Sequence, residues 1–174
     1  MLIAITGTPG VGKSAASAEL RSRGFEVVDL KAHIMSHGLM GPLDESRDTH
    51  DVDLDLLNDS LEEYREREGT AFMEGHLSHY MDCGRIIVLR CSPDTVAERL
   101  RARGYGESKV LENVRSEVLD VILCESVDTD IPVAEIDCTG HSVAEVADMI
   151  EQAASGGEFP PGKVDWSQEM EKWF

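Results

Sequence analysis

Eight consecutive residues carry the clearest chemistry in this chain: Gly7-Thr-Pro-Gly-Val-Gly-Lys-Ser14 fits the pattern G-x-x-x-x-G-K-[ST]. Glycines at 10 and 12 leave the backbone free to wrap its N–H groups around phosphate oxygens. Lys13 supplies a point charge to the outer phosphates, and the Ser14 hydroxyl is a ligand suited to Mg²⁺. A helix opening at Ser14 adds its positive dipole end and its unpaired N–H groups, that of Ala15 included. Gly10, Val11, Gly12, Lys13, Ser14 and Ala15 are therefore the expected cofactor-binding set, with ATP and Mg²⁺ as the cofactors. A glycine-rich turn that fits by chance is the bland alternative. The four fixed positions, set after a strand and before a helix, argue against it.

Other candidates lie further along the chain. Glu74-Gly-His76 follows an apolar run, where a carboxylate can hold a metal ion or its bound water. His76 beside it can orient an attacking water or the γ-phosphate. His76 and His79, with Glu74 and Asp82 close by in sequence, lack a third firm ligand at a recognised zinc spacing, and His79 reads as structural. Arg99-Leu-Arg-Ala-Arg103 precedes Gly104-Tyr-Gly106 and is a basic segment in an acidic chain. Arg103, next to the glycine hinge, is expected to close over ATP and neutralise charge that builds during phosphoryl transfer. The other reading of the cluster is the polar face of a helix. Arg47 is the only arginine between Arg23 and Arg65. It suits an anionic group, or a surface ion pair with Asp44, Glu45 or Asp48, and the sequence leaves both open.

Positioning these groups needs alternating strands and helices. Leu2–Thr6 reads as a buried strand running into the glycine-rich turn, followed by a helix from Ser14 to Arg23 that Gly24 stops. Phe25–Asp29 is a second strand. Residues 31 to 55 show weak periodicity and a cluster of acids. Leu57, Leu61 and Tyr64 stand at helical spacing, Thr70–Met73 is a third strand and Arg85–Cys91 a fourth. Ser92-Pro93-Asp94 caps a helix that runs to about Arg101. Val114, Val118, Val121 and Ile122 predict one long amphipathic helix. Val133–Cys138 is a fifth strand, and Ser142-x-x-Glu145 is a capping box. Gly156-Gly157 and Pro160-Pro161-Gly162 read as a linker to an aromatic tail that holds Trp166 and Trp173. The expected fold is α/β, with a largely parallel sheet between helical layers.

Composition narrows the class. The 174 residues suffice for one domain with a full core. Lys plus Arg is 16 against 34 Asp plus Glu, a formal charge of −18. Such a chain repels a phosphate backbone, so no direct DNA binding is expected. No apolar run approaches the ~20 residues of a membrane span, and Met1 leads straight into a strand with no basic leader, which predicts a cytoplasmic protein. Cys83, Cys91, Cys124 and Cys138 form no CxxC pair and suit buried thiols in a reducing compartment. Lysine is scarce, five residues against eleven arginines and nineteen glutamates. A carboxylate-rich surface of this kind suits concentrated salt, which screens its self-repulsion.

Gly7–Ser14, Glu74-Gly-His-Leu-Ser-His79, Arg99-Leu-Arg-Ala-Arg-Gly-Tyr105, Lys109-Val-Leu-Glu-Asn-Val114 and Val164-Asp-Trp166, in that order, resemble the small archaeal and eukaryotic nuclear-type adenylate kinases, the adenylate kinase isoenzyme 6 family. The resemblance covers nearly the whole chain. It implies a P-loop nucleoside-monophosphate-kinase fold over 1–174, with five parallel strands in the order 2-3-1-4-5. It also implies a monophosphate-binding insertion at about 30–53, in which Arg47 is the candidate for the AMP phosphate beside the open ion-pair reading, a short lid at about 102–112, and a linker and aromatic tail over 156–174. The implied reaction is ATP + AMP ⇌ 2 ADP, with ATPase activity and a part in small-ribosomal-subunit maturation through a ribosomal protein. The leucine-bearing acidic stretch Asp51–Asp59 is the expected contact for such a basic partner. The family often has Asp-x-His where this chain has Glu74-Gly-His76. The added methylene leaves open whether Glu74 meets Mg²⁺ directly or through water. Two alternatives stand beside the kinase reading: an ATP-switched assembly factor whose kinase activity is incidental, and a P-loop kinase for another small acceptor.

Overall fold

The computed structural model describes residues 1–44 and 49–174. In chain order the elements are β1 (Leu2–Thr6), α1 (Lys13–Ser22), β2 (Glu26–Asp29), α2 (Leu30–Ser36), β3 (Met40–Asp44), β4 (Thr49–Val52), α3 (Leu54–Ser60), α4 (Glu62–Glu66), β5 (Ala71–Glu74), β6 (Arg85–Arg90), α5 (Pro93–Ala102), α6 (Glu107–Val118), α7 (Val121–Val127), β7 (Val133–Asp137), α8 (Val143–Ala154) and α9 (Met170–Trp173).

Five strands form one parallel sheet in the order β2-β5-β1-β6-β7. Counted by themselves, these strands run 2-3-1-4-5, the expected order. Alternation along each strand sends side chains to opposite faces. Ile3, Ile5, Ile87 and Leu89 pack under α1, α5, α6 and α8, where Leu20, Leu100, Val114 and Ile150 are fully buried. Leu2, Ala4, Ile86 and Val88 face the opposite layer, which contains Ile34, Leu57, Leu61 and Leu123. Burial on both faces explains why β1 and β6 are continuous apolar runs rather than alternating ones.

The structure departs from the sequence expectation in four places. The described residues between 31 and 55 are largely regular. They contain α2, capped by the Asp29 carboxylate accepting from Ala32 N at 3.0 Å, and an antiparallel hairpin in which Met40 pairs with Val52. The long helix predicted through Val121 breaks at Asp120, whose φ of 55° is left-handed and ends α6. The 156–164 segment is anchored to β7: Glu135 N donates to Phe159 O at 2.9 Å, and Lys163 N donates to Glu135 Oε2 at 2.8 Å. Cys91 and Cys138 are buried as expected, but Cys124 on α7 is exposed. The capping box of α8 forms in full, with Ser142 and Glu145 each accepting from the other's backbone N–H. Among the described residues no helix is long and apolar enough to cross a membrane.

Candidate active site

The carboxyl ends of β1, β2 and β5 meet at one edge of the sheet, because Ile5 and Asp29 are both in register with Glu74. The chain places β5 on one side of β1 and β6 on the other, so β1 ends at a topological switch point, where crevices form in such sheets. The turn leaving β1 is tight enough to exclude side chains. A Cβ on Gly7 would lie 2.3 Å from Leu89 O, and Gly12 has a left-handed φ of 119°. Val11 is fully buried and pins the turn to the core.

Lys13 Nζ donates to Gly7 O at 2.5 Å and to Thr8 O at 3.1 Å, folding the side chain back over the loop. Burial, opposed by the charges of Glu74 and Glu117, lowers its pKa to about 8. Ser14 Oγ donates to Glu74 Oε1 at 3.4 Å. Glu74 is 7% exposed. Burial and then the nearby Asp29 raise its pKa, while Lys13 pulls it down. Two oxygens on neighbouring corners of an octahedral Mg²⁺ site stand about 3 Å apart. Ser14 and Glu74 therefore fit the ion as its protein oxygen donors.

His76 is exposed beside this pair. Desolvation by the surrounding cleft, then the charge of Lys13, holds its pKa below the usual histidine value. His79 is buried, with Nδ1 at 3.0 Å from Thr6 Oγ1 and Nε2 at 3.1 Å from Glu125 Oε2, a bracing role for the strand end. Gly10, Val11, Gly12, Lys13, Ser14 and Ala15 thus come together with Glu74 and His76 at one edge. Arg47 lies outside the described residues.

The three arginines of the basic segment separate. Arg99 Nη1 donates to Gly10 O and Val11 O, both at 3.0 Å. Arg101 turns away into an ion pair with Glu107. Arg103 caps α5, is exposed, and lines a cleft of about 180 Å³ together with Val11, Gly12, Ala15, Arg99 and His141. Arg99 was not expected in this role. Its position one helical turn before Arg103, on the same face, is the signal that pointed to it.

A second set escaped the sequence reading. Thr8 Oγ1 donates to Glu117 Oε2 at 2.5 Å, and Arg90 Nε donates to Glu117 Oε1 at 2.8 Å, all three residues being buried. Val110, Val114 and Val118 form the apolar stripe of α6, and Glu117 sits in that stripe. A carboxylate in a core stripe was the available signal.

The family described as "AAA domain" matches residues 3–120. A protein of Methanocaldococcus jannaschii named "Putative adenylate kinase" is 43% identical over 175 residues, covering 100% of this chain and 96% of that one. A protein of Archaeoglobus fulgidus with the same name is 40% identical over 176 residues, covering 98% and 94%. Among solved structures, a shikimate kinase from Bacteroides thetaiotaomicron superposes with a TM-score of 0.58 at 17% identity, covering 89% of this chain and 98% of that one. That likeness speaks for the fold alone. End-to-end matches at this identity, on a P-loop kinase fold with its phosphate loop intact, mean that the chain belongs to the archaeal adenylate kinase family of P-loop nucleoside monophosphate kinases.

Proposed function

We propose that the protein transfers the terminal phosphoryl group of ATP to AMP, ATP + AMP ⇌ 2 ADP. The observation that carries this reading is the convergence of the phosphate loop, the Ser14–Glu74 pair and the arginine-lined cleft at one sheet edge. The acceptor is inferred from the name its relatives carry. The loop N–H groups of Gly10 to Ala15 cradle the phosphates, and Lys13 leaves its two loop carbonyls to meet the outer ones. Ser14 and Glu74 hold Mg²⁺, which when bound neutralises charge on the phosphate oxygens. Arg103 closes from a short lid at about 102–112, and the segment at about 30–53 receives the monophosphate. Arg99, tied to the loop carbonyls, fixes the loop against α5 and keeps a cation beside the phosphates.

ATP hydrolysis is the second activity we assign to the site. His76 has the lowered pKa of a neutral imidazole able to accept a proton from water. Exposed Leu54 and Leu56, beside Asp53 and Asp55, supply the acidic and apolar surface that a basic small-subunit ribosomal protein would meet.

One experiment tests these readings: product analysis after Mg-ATP is supplied with each nucleoside monophosphate in turn, without acceptor, and with small-subunit ribosomal proteins. ADP formed in a 2:1 ratio to AMP consumed is expected, with slow hydrolysis when no acceptor is present. Lys13→Ala is expected to stay folded and to lose turnover by about a hundred-fold or more, since its charge acts mainly in the transition state. Near-normal turnover in that variant would remove Lys13 from the site.

A further inference from the structure

The C-terminal segment does more than cover apolar surface. It ends in a buried polar chain that begins in the phosphate loop. Glu117 receives four donors. Thr8 Oγ1 reaches Oε2 at 2.5 Å, while Arg90 Nε at 2.8 Å, Cys91 N at 3.2 Å and the Trp166 indole Nε1 at 3.3 Å converge on Oε1. Arg90 continues through Nη1 to Glu135 Oε1 at 2.8 Å. The other oxygen of Glu135 accepts from Lys163 N at 2.8 Å and Val164 N at 3.3 Å. Beyond Trp166 the chain is held again, with Trp173 7% exposed and its carbonyl accepting from Arg115 Nε at 2.7 Å.

Burying one arginine with two carboxylates is costly unless the remaining lone pairs and protons find partners. Here those partners are supplied by Cys91 N, next to Arg90, and by two places only distantly linked in sequence, the loop at Thr8 and the tail at Lys163–Trp166. Removing either set leaves a buried carboxylate oxygen short of a donor, so the two sets support each other. Thr8 also offers one of the two carbonyls that hold Lys13. The pose of Glu117 therefore reaches the phosphate lysine through a single residue.

We propose that Glu117 is a positioning residue that acts through Thr8 on the phosphate loop, and that docking of the tail through Trp166 sets its pose. The proposal rests on the nucleotide reading of the loop. Binding at the loop and docking of the tail are then coupled, and the coupling runs equally in both directions. Both tryptophans of the chain lie in the tail, so its emission reports on the tail alone.

The test compares wild type with Trp166→Phe, Thr8→Val and Thr8→Ser, each assayed for kcat, KM and thermal midpoint, with ATP binding measured separately by calorimetry. Wild-type tryptophan emission is expected to shift on ATP binding. Thr8→Val is expected to bind ATP with that shift lost, and Thr8→Ser, which keeps the donor, to restore it. Trp166→Phe keeps an aromatic body but no N–H. It is expected to lower kcat about ten-fold with little change in KM, the scale of one hydrogen bond to a buried charge acting at a distance. Glu117→Gln is expected to do the same or more, and if it fails to fold the Trp166 and Thr8 variants still decide. Unchanged emission in ATP-bound wild type, or wild-type kcat in both Trp166→Phe and Thr8→Val, would overturn the proposal. Wild type that binds no ATP in the calorimeter would overturn the nucleotide reading itself, and this proposal with it.

Discussion

At the scale of the residue, Lys13 holds the most testable balance. Burial favours its neutral form and brings its pKa to about 8, while Glu74 and Glu117 resist that change. Bound phosphate adds negative charge within reach of Nζ and raises the pKa again. Between about pH 8 and the raised value, ATP binding must therefore take up a proton. Calorimetry in buffers of different ionisation enthalpy is expected to show uptake near pH 8.5 and close to none at pH 6.5, where Lys13 is already charged. Lys13→Met is expected to abolish the uptake. Stability carries the opposite sign to affinity. With the folded pKa below the unfolded value, the unfolded chain binds more protons between about pH 8 and 10.5, so this residue adds stability as pH rises through that window. Affinity for ATP is expected to fall over the same range. Buffer-independent binding heats at pH 8.5 would show that Lys13 stays charged throughout.

At the scale of the element, the sequence read well where one physical rule dominated. The continuous apolar runs of β1 and β6, the Ser92-Pro93 start of α5 and the capping box of α8 all formed where they were expected. It read poorly where a distant partner overrode local pattern. Val114, Val118, Val121 and Ile122 keep helical spacing, yet the backbone turns left-handed at Asp120, whose carboxylate pairs with the buried Arg90. Glu117 in the core stripe of α6 signals a buried partner, but nothing local names Arg90, 27 residues away, as that partner. The hairpin β3–β4 lacks apolar alternation and is held by backbone pairing, so periodicity missed it. Asp120 itself can be tested. Asp120→Ala and Asp120→Gly both lose the ion pair, and they differ only in tolerance of positive φ. The glycine variant is expected to be more stable by about 1 kcal/mol in urea melts, because position 120 lies between α6 and α7 and its left-handed backbone disfavours a Cβ. An alanine variant equal to or more stable than glycine would mean that α6 and α7 straighten once the carboxylate is gone.

At the scale of the whole molecule, charge divides into a surface part that responds to salt and a buried part that scarcely does. The Arg90–Glu117–Glu135 chain is 0–2% exposed at its side chains, so ions in solution screen it little. The surface carries most of the −18. Its ion pairs, such as Arg67 with Glu63 at 3.0 Å, join exposed side chains and contribute about 0–1 kcal/mol each. Arg23 is better placed, meeting Glu19, Asp148 and Glu151 at 2.6–2.9 Å and tying α1 to α8, but even there one cation serves three carboxylates. With 34 acids against 16 bases, most carboxylates cannot each have a cation of their own, and net repulsion outweighs attraction. Raising KCl from about 0.1 M to about 1 M shortens the screening length from about 10 Å to about 3 Å, which removes repulsion between neighbouring surface acids while leaving the core chain intact. The melting temperature is therefore expected to rise steadily across a KCl series. Substituting exposed acids on α3, Asp55 and Asp59, by Asn is expected to flatten that rise in proportion to the charge removed. A melting temperature that stays level or falls with KCl would show that exposed ion pairs govern the surface, and that its acidity is not an adaptation to salt.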